Sequence, residues 1–256
     1  MYELAGIDVR SDGPVRVVTL NRPDTLNAIS EDLHARFVEL WSHVEHDDGC
    51  RAVVLTGAGN AFSAGGSYED FERRRVDRGA RRRSLRLARQ LVEGMLDVAV
   101  PVVAAVNGPA IGLGCTITTL CDIVFMADSA HLADTHVSVA LAAGDGGAVT
   151  WPAMTSLLRA KQYLLTGDRL SAAEAVELGL ANFAIPADQL LEQATAYAHR
   201  LAAQPPQAVQ ETKALLNQHL KANAVRALAQ GLAAESQSHD TPEYAAIGQK
   251  LKQRER

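Results

Sequence analysis

Apolar residues along this chain fall into two kinds of run. Short, mostly apolar stretches stand at 15–20 (VRVVTL), 52–56 (AVVLT), 101–106 (PVVAAV) and 122–127 (DIVFMA), each bounded by turn residues or charge. Runs of that length rich in valine and isoleucine predict buried strands. Between and after them, apolar residues recur every three or four positions. Leu33, Phe37, Leu40, Trp41 and Val44 mark one face of a helix, with Ser30 as its N-cap ahead of the acidic Glu31 and Asp32. Ser171 and Glu174 have capping-box spacing, and the helix they open stops at Gly179. Leu190, Leu191, Ala194, Tyr197, Ala198 and Leu201 repeat at helical spacing, and Pro206 opens a further helix through Val209, Leu215, Leu216 and Leu220. The order of strands and helices predicts an α/β core followed by helices alone. That tail is amphipathic and needs a partner surface, its own domain's or a neighbour's.

Two of the strands run into glycine turns. After 101–106 the chain turns at Asn107-Gly108-Pro109, passes Gly112 and Gly114, and resumes as an apolar, helix-compatible run. A strand that hands over to a helix through glycines aims free backbone N–H groups and the positive end of the helix dipole at one point, which suits an anion or a developing oxyanion. The dinucleotide fingerprint GxGxxG fits this turn only in part, because Ile117 stands where the third glycine belongs. The second turn follows 52–56 through Gly57-Ala58-Gly59-Asn60, and its backbone at Ala64-Gly65-Gly66 is open to close approach by a ligand.

Length and composition narrow the picture. The 256 residues, 47% of them hydrophobic, suffice for one sizeable α/β core, and a net charge of -5 gives no global pull toward nucleic acid or a membrane surface. No signal-peptide pattern opens the chain and no apolar run reaches membrane-spanning length. Three cysteines, Cys50, Cys115 and Cys121, stand in no metal spacing, so a reducing cytoplasm is the expected location. Arginine crowds 69–90, at Arg73, Arg74, Arg75, Arg78, Arg81, Arg82, Arg83, Arg86 and Arg89. Such a run reads first as a solvated helix face and second as a contact for phosphate oxygens. His43 and His46 suit a helix C-terminus, and His131 with His136 lack a third ligand for a metal. Serine-hydrolase elbows, HExxH and P-loops are absent from the sequence.

Taken together, VVLTGAG leading to AFSAGG, then PVVAAVNGPAIGLG, CDIVFMADSAHLADTH and YLLTGDRLSAAEAVELGL resemble the enoyl-CoA hydratase/isomerase (crotonase) superfamily. The resemblance runs from Asn21 to the helical tail. It implies a crotonase-type spiral of ββα units over 1–195 and a C-terminal helical region, 196–256, that builds homotrimers or dimers of trimers. The implied substrate is an acyl-CoA thioester handled without a metal or redox cofactor, coenzyme A being part of the substrate. Backbone N–H groups of Gly66 and Leu113 would form the oxyanion hole, and Leu26, Ala28, Ala64, Gly65, Tyr68, Gly112 and Thr116 would meet the substrate or its coenzyme A.

The glutamate pair that hydrates alkenes in this superfamily is absent, its positions being held by Thr116 and His136. Asp145 matches a position where dienoyl-CoA isomerases carry a functional aspartate. His136 with Asp145 is also similar to the His/Asp arrangement of 6-oxocamphor hydrolase, a relative that cleaves β-diketones with water. The resemblance therefore implies His136 as the proton-transfer residue and Asp145 as its orienter or a second acid–base group. Retro-Claisen hydrolysis of a β-diketone or 3-oxoacyl substrate is the alternative within enzymes. A non-catalytic acyl-CoA-binding or RNA-binding homologue is the alternative outside them, although few aromatics interleave with the arginines to favour nucleic acid.

Overall fold

In a computed structural model of the chain, residues 2–254 are described, apart from the side chains of Tyr68 and 250–254. In chain order the elements are β1 (Ile7–Asp12), β2 (Val15–Leu20), α1 (Glu31–Glu45), β3 (Ala52–Gly57), α2 (Tyr68–Val76), α3 (Arg78–Asp97), β4 (Val102–Val106), β5 (Ala110–Ile111) and α4 (Leu113–Leu120). They continue as β6 (Ile123–Ala127), β7 (His131–Ala133), α5 (Gly147–Met154), α6 (Leu157–Thr166), β8 (Leu170–Ser171), α7 (Ala172–Leu178), β9 (Phe183–Ile185), α8 (Leu190–Ala202), α9 (Pro206–Ser238) and α10 (Pro242–Arg254).

The apolar runs become one sheet of six strands in the order β1-β2-β3-β4-β6-β9. Only the β1–β2 pair is antiparallel, and from β2 onward the strands run parallel. A parallel sheet is covered on both faces, which is why β3 and β4 read as unbroken apolar runs and why their residues 52–55 and 102–106 are fully buried. Helix α8 packs against β2, β3, β4 and β6. A second sheet, β5-β7-β8, is built from the short strands reached from β4, β6 and α6. Strand, short second strand and helix thus alternate as the spiral of ββα units that the resemblance implies. The expected division between core and helical region at 195/196 falls inside α8, whose packing on the sheet makes it part of the core. The helical region therefore starts at α9.

Helix starts follow the sequence signals. Ser30 Oγ accepts from Leu33 N at 3.3 Å, and the Ser171–Glu174 capping box closes in both directions, with Gly179 left-handed at the end of α7. Helix α9 runs 33 residues and packs across α3 and α5. Its inward side near the start is polar: Lys213 Nζ donates to Val100 O at 2.8 Å and pairs with Asp122 at 2.7 Å, while Asn217 donates to Leu96 O at 3.0 Å. Further along, Gly231 meets Gly144, and neither position has room for a Cβ. This close approach carries the distal part of α9 to the loop before Asp145.

Candidate active site

The two glycine turns lie side by side. Phe62 N and Ser63 N both donate to Pro109 O at 3.1 Å, and Ile111 N returns a bond to Ser63 O at 2.9 Å. On the other side Ile29 N donates to Gly65 O and Ser67 N to Ile29 O. Gly65 holds φ at +85°, and a Cβ there would lie 2.6 Å from Ile111 O and 3.6 Å from Leu113 N, so only glycine lets the turns touch. Among the described residues, no backbone acceptor takes the N–H of Gly66 or of Leu113, the first residue of α4. Both belong to the wall of one cavity.

A buried chain of acid and base groups ends at the same cavity. His136 Nδ1 lies 2.6 Å from Asp134 Oδ1, and its Nε2 lies 3.2 Å from Asp145 Oδ2. Thr116 Oγ1 donates to Asp145 Oδ1 at 3.1 Å. Burial disfavours a charged imidazole, but the two carboxylates override it and hold the His136 pKa well above the usual value. Burial likewise opposes the Asp145 charge, and the His136 cation with the Thr116 hydroxyl brings its pKa below the ordinary carboxylate value. The cluster is an imidazole held between two carboxyl groups, an arrangement that favours the charged form of the ring. Asp134 Oδ2 also lies against Gly147, the first residue of α5, where a helix N-terminus favours negative charge.

The cavity measures about 390 Å³. Of the residues singled out in the sequence, Ala64, Gly65, Gly66, Gly112, Leu113, His136 and Asp145 line it. Thr116 is fully buried behind Asp145 rather than on the wall. Leu26 and Ala28 stand outside the wall, joined to it by the Ala64 N to Leu26 O bond of 2.9 Å. Leu26 and Asn27 have φ of 52° and 55°, and the buried Asn27 side chain fastens this loop to Ala58 O and Ala61 O. Tyr68 opens α2, and its side chain lies outside the described residues.

Four further groups belong to the site that sequence reasoning did not single out in that role. Asp134 carries the orienting bond to Nδ1, two residues from His136 in the motif HLADTH. His34, from the inward face of α1, Arg74 from α2 and Glu235 from α9 all line the cavity. Burial, then the Arg74 charge, pushes His34 down to about 4. Burial and the nearby Asp145 raise Glu235 to about 7.

The arginine run divides by role. Arg81 is buried, forks onto Asp240 at 2.8 and 2.9 Å and donates to the carbonyls of Arg74, Arg75 and Ser236, so it fastens the α2–α3 junction to the end of α9. Arg73 and Arg83 pair with Glu31, Arg75 with Glu72, and Arg89 with Glu93. Among the described residues no cluster of three or more His, Cys, Asp or Glu is arranged to hold a metal ion.

The family described as enoyl-CoA hydratase/isomerase matches residues 10–249. The chain belongs to that family. It is 31% identical to a short-chain-enoyl-CoA hydratase of Clostridium acetobutylicum, over 89% of this chain and 87% of that protein. It is 35% identical to the 1,2-epoxyphenylacetyl-CoA isomerase of Escherichia coli, over 75% of this chain and 74% of that one. Among solved structures, an enoyl-CoA hydratase/isomerase from Mycobacterium paratuberculosis superposes with a TM-score of 0.94 at 48% identity, covering 98% of this chain and all of that one. The architecture is accordingly the crotonase fold, and the chain is an enzyme of the crotonase superfamily.

Proposed function

We propose that this enzyme acts on an acyl-CoA thioester by stabilising its enolate, with Asp145 accepting a proton and His136 donating one. The observation that carries this reading is the convergence, in one cavity, of two unclaimed backbone N–H groups and the buried Asp134–His136–Asp145 chain. Removal of a proton from the carbon beside the thioester by Asp145 sends the electron pair into the carbonyl. The oxygen that gains charge is met by Gly66 N–H and Leu113 N–H, and preorganised donors of this kind each supply about 3 kcal/mol in the transition state. Asp134 takes the orienting role on Nδ1, which frees Asp145 to face the substrate. His136, held as imidazolium, then returns a proton to the carbon chain. Similarity to proteins named as an enoyl-CoA hydratase and as a coenzyme A thioester isomerase supports a thioester substrate, and Thr116 in place of a glutamate argues against two-carboxylate hydration.

A second reading draws on the same His/Asp pair. Water activated there would attack a ketone of a β-dicarbonyl, and the departing carbanion would be held as the enolate. The deciding experiment incubates the purified protein with enoyl-CoA, 3-oxoacyl-CoA and a coenzyme-A-free 1,3-diketone. Turnover of a thioester that Asp145→Asn abolishes supports the first reading. Turnover of the free diketone alone selects the second, and a thioester reaction indifferent to Asp145 sinks the assignment.

We further propose that further copies of the chain cover exposed apolar residues of α9, where Leu215, Leu216 and Val225 are 71%, 63% and 84% exposed. The expected assembly is a homotrimer or a dimer of trimers. Light scattering of the wild type and of Leu216→Lys tests it, a monomeric wild type overturning the assembly.

A further inference from the structure

Three polar atoms on the cavity residues are buried and have no partner among the described residues: His34 Nε2, Arg74 Nε and Glu235 Oε2. They come from α1, α2 and α9, so no single local motif explains them. An orphaned buried polar atom costs roughly 1–3 kcal/mol. A plain hydrocarbon chain in this cavity would leave all three unmet. Arg74 is the most informative, because a guanidinium only donates.

Among the described residues its ion pairing is loose. The nearest carboxylate, Asp70, stands 3.9 Å away and is already taken by Arg73 at 2.6 Å and by Glu31 N at 2.7 Å. Arg74 Nη1 lies 3.8 Å from the point where a Gly66 side chain would begin. The Nη1 end of the guanidinium therefore borders the backbone that would hold the thioester oxygen. His34 is held neutral beside it, and Glu235, near neutrality, can present a protonated carboxyl.

We propose that the acyl group carries a second oxygen function, a ketone or a carboxylate within a few bonds of the thioester, and that Arg74 binds it. This inference rests on the thioester reading above. It makes Arg74 a specificity residue, with His34 and Glu235 completing the polar pocket. A ketone one carbon from the thioester also acidifies the carbon between them, which suits a base of low pKa such as Asp145.

Calorimetric titration with unreactive coenzyme A thioethers tests the proposal in two matched pairs, 3-oxohexyl against hexyl and 2-carboxyethyl against propyl. The oxygenated member of at least one pair is expected to bind the wild type about tenfold tighter or more, as for a hydrogen bond to a charged group. The pair with the larger difference identifies ketone or carboxylate. Arg74→Met should erase the preference and Arg74→Lys restore part of it, with circular dichroism confirming that each variant is folded. Equal binding within both pairs, or a preference that survives Arg74→Met, overturns the proposal. Failure of every thioether to bind is the failure of the thioester reading instead. The comparison then passes to a free 1,3-diketone and to malonate, where Arg74-dependent binding retains the inference and absence of binding overturns it.

Discussion

Two buried histidines face the same cavity with pKa values shifted in opposite directions. His34 is 3% exposed and His136 7%, so burial alone would make both neutral. His136 has a carboxylate on each ring nitrogen and is held as a cation, whereas His34 has Arg74 nearby and falls to about 4. Neighbouring charge therefore decides the protonation state at equal burial. On the proposed mechanism the site uses both outcomes, a charged imidazole as proton donor and a neutral one as part of the polar pocket.

The largest expected effect comes from removing the carboxylate proposed as the base. Asp145→Asn preserves shape and the Thr116 contact, and should lower kcat on the thioester substrate by about a thousandfold. If kcat survives within a factor of ten while the fold is intact, His136 is charged for structural reasons only.

Asp134→Asn breaks the comparison from the other side, by making His136 more like His34. Removing one partner of a buried ion pair typically costs about 3–5 kcal/mol. The sign with pH is fixed by the raised His136 pKa. Its contribution is complete below the unfolded value near 6.5 and fades as pH rises through the folded value. The wild-type advantage in denaturant melts should therefore be greatest in mild acid and shrink in alkali. The alkaline limb of the kcat profile should move to lower pH, since His136 would lose its proton earlier.

Much of this arrangement was legible in the sequence, and the residues that escaped have identifiable reasons. Strands β3 and β4 read as apolar runs because both faces are covered, and the glycine turns read as turns because their backbone leaves no room for side chains. His136 and Asp145 emerge because they sit in motif positions. Asp134 carries a local signal, Asp-Thr-His, but it follows β7 and looks like a strand end. Glu235 has none. It stands 90 residues from Asp145 in a polar stretch of helix, and tertiary packing, including the contact of Gly231 with Gly144 and the Ala142 N to Ser238 Oγ bond, brings it to the cavity. Arg74 and Arg81 are indistinguishable from their neighbours in an arginine run, and burial alone separates them.

His34→Gln sharpens the neutral side of the comparison. A histidine with a folded pKa near 4 binds its proton more tightly in the unfolded chain, so stability present above about 6.5 is lost as pH falls toward 4. The shift corresponds to about 3 kcal/mol. Melting temperature of the variant should fall less steeply than that of the wild type between pH 7 and 4. Parallel curves would mean that His34 does not titrate differently on folding.

The smallest effect expected is that of Thr116→Val, which keeps the volume of a residue that could merely fill space behind the site. Its hydroxyl donates to Asp145 Oδ1 and helps hold that carboxylate in its ionised form. Loss of a hydrogen bond to a charged group is worth about 1.5–3 kcal/mol, so kcat should fall roughly tenfold or somewhat more. The Asp145 pKa should rise, and because the base must be ionised, the acid limb of the profile should move to higher pH. A lower kcat with an unmoved acid limb would assign Thr116 to the placement of Asp145 alone. An unchanged kcat and profile would leave His136 as the group that sets the charge of Asp145, and the substitution for glutamate as a matter of space.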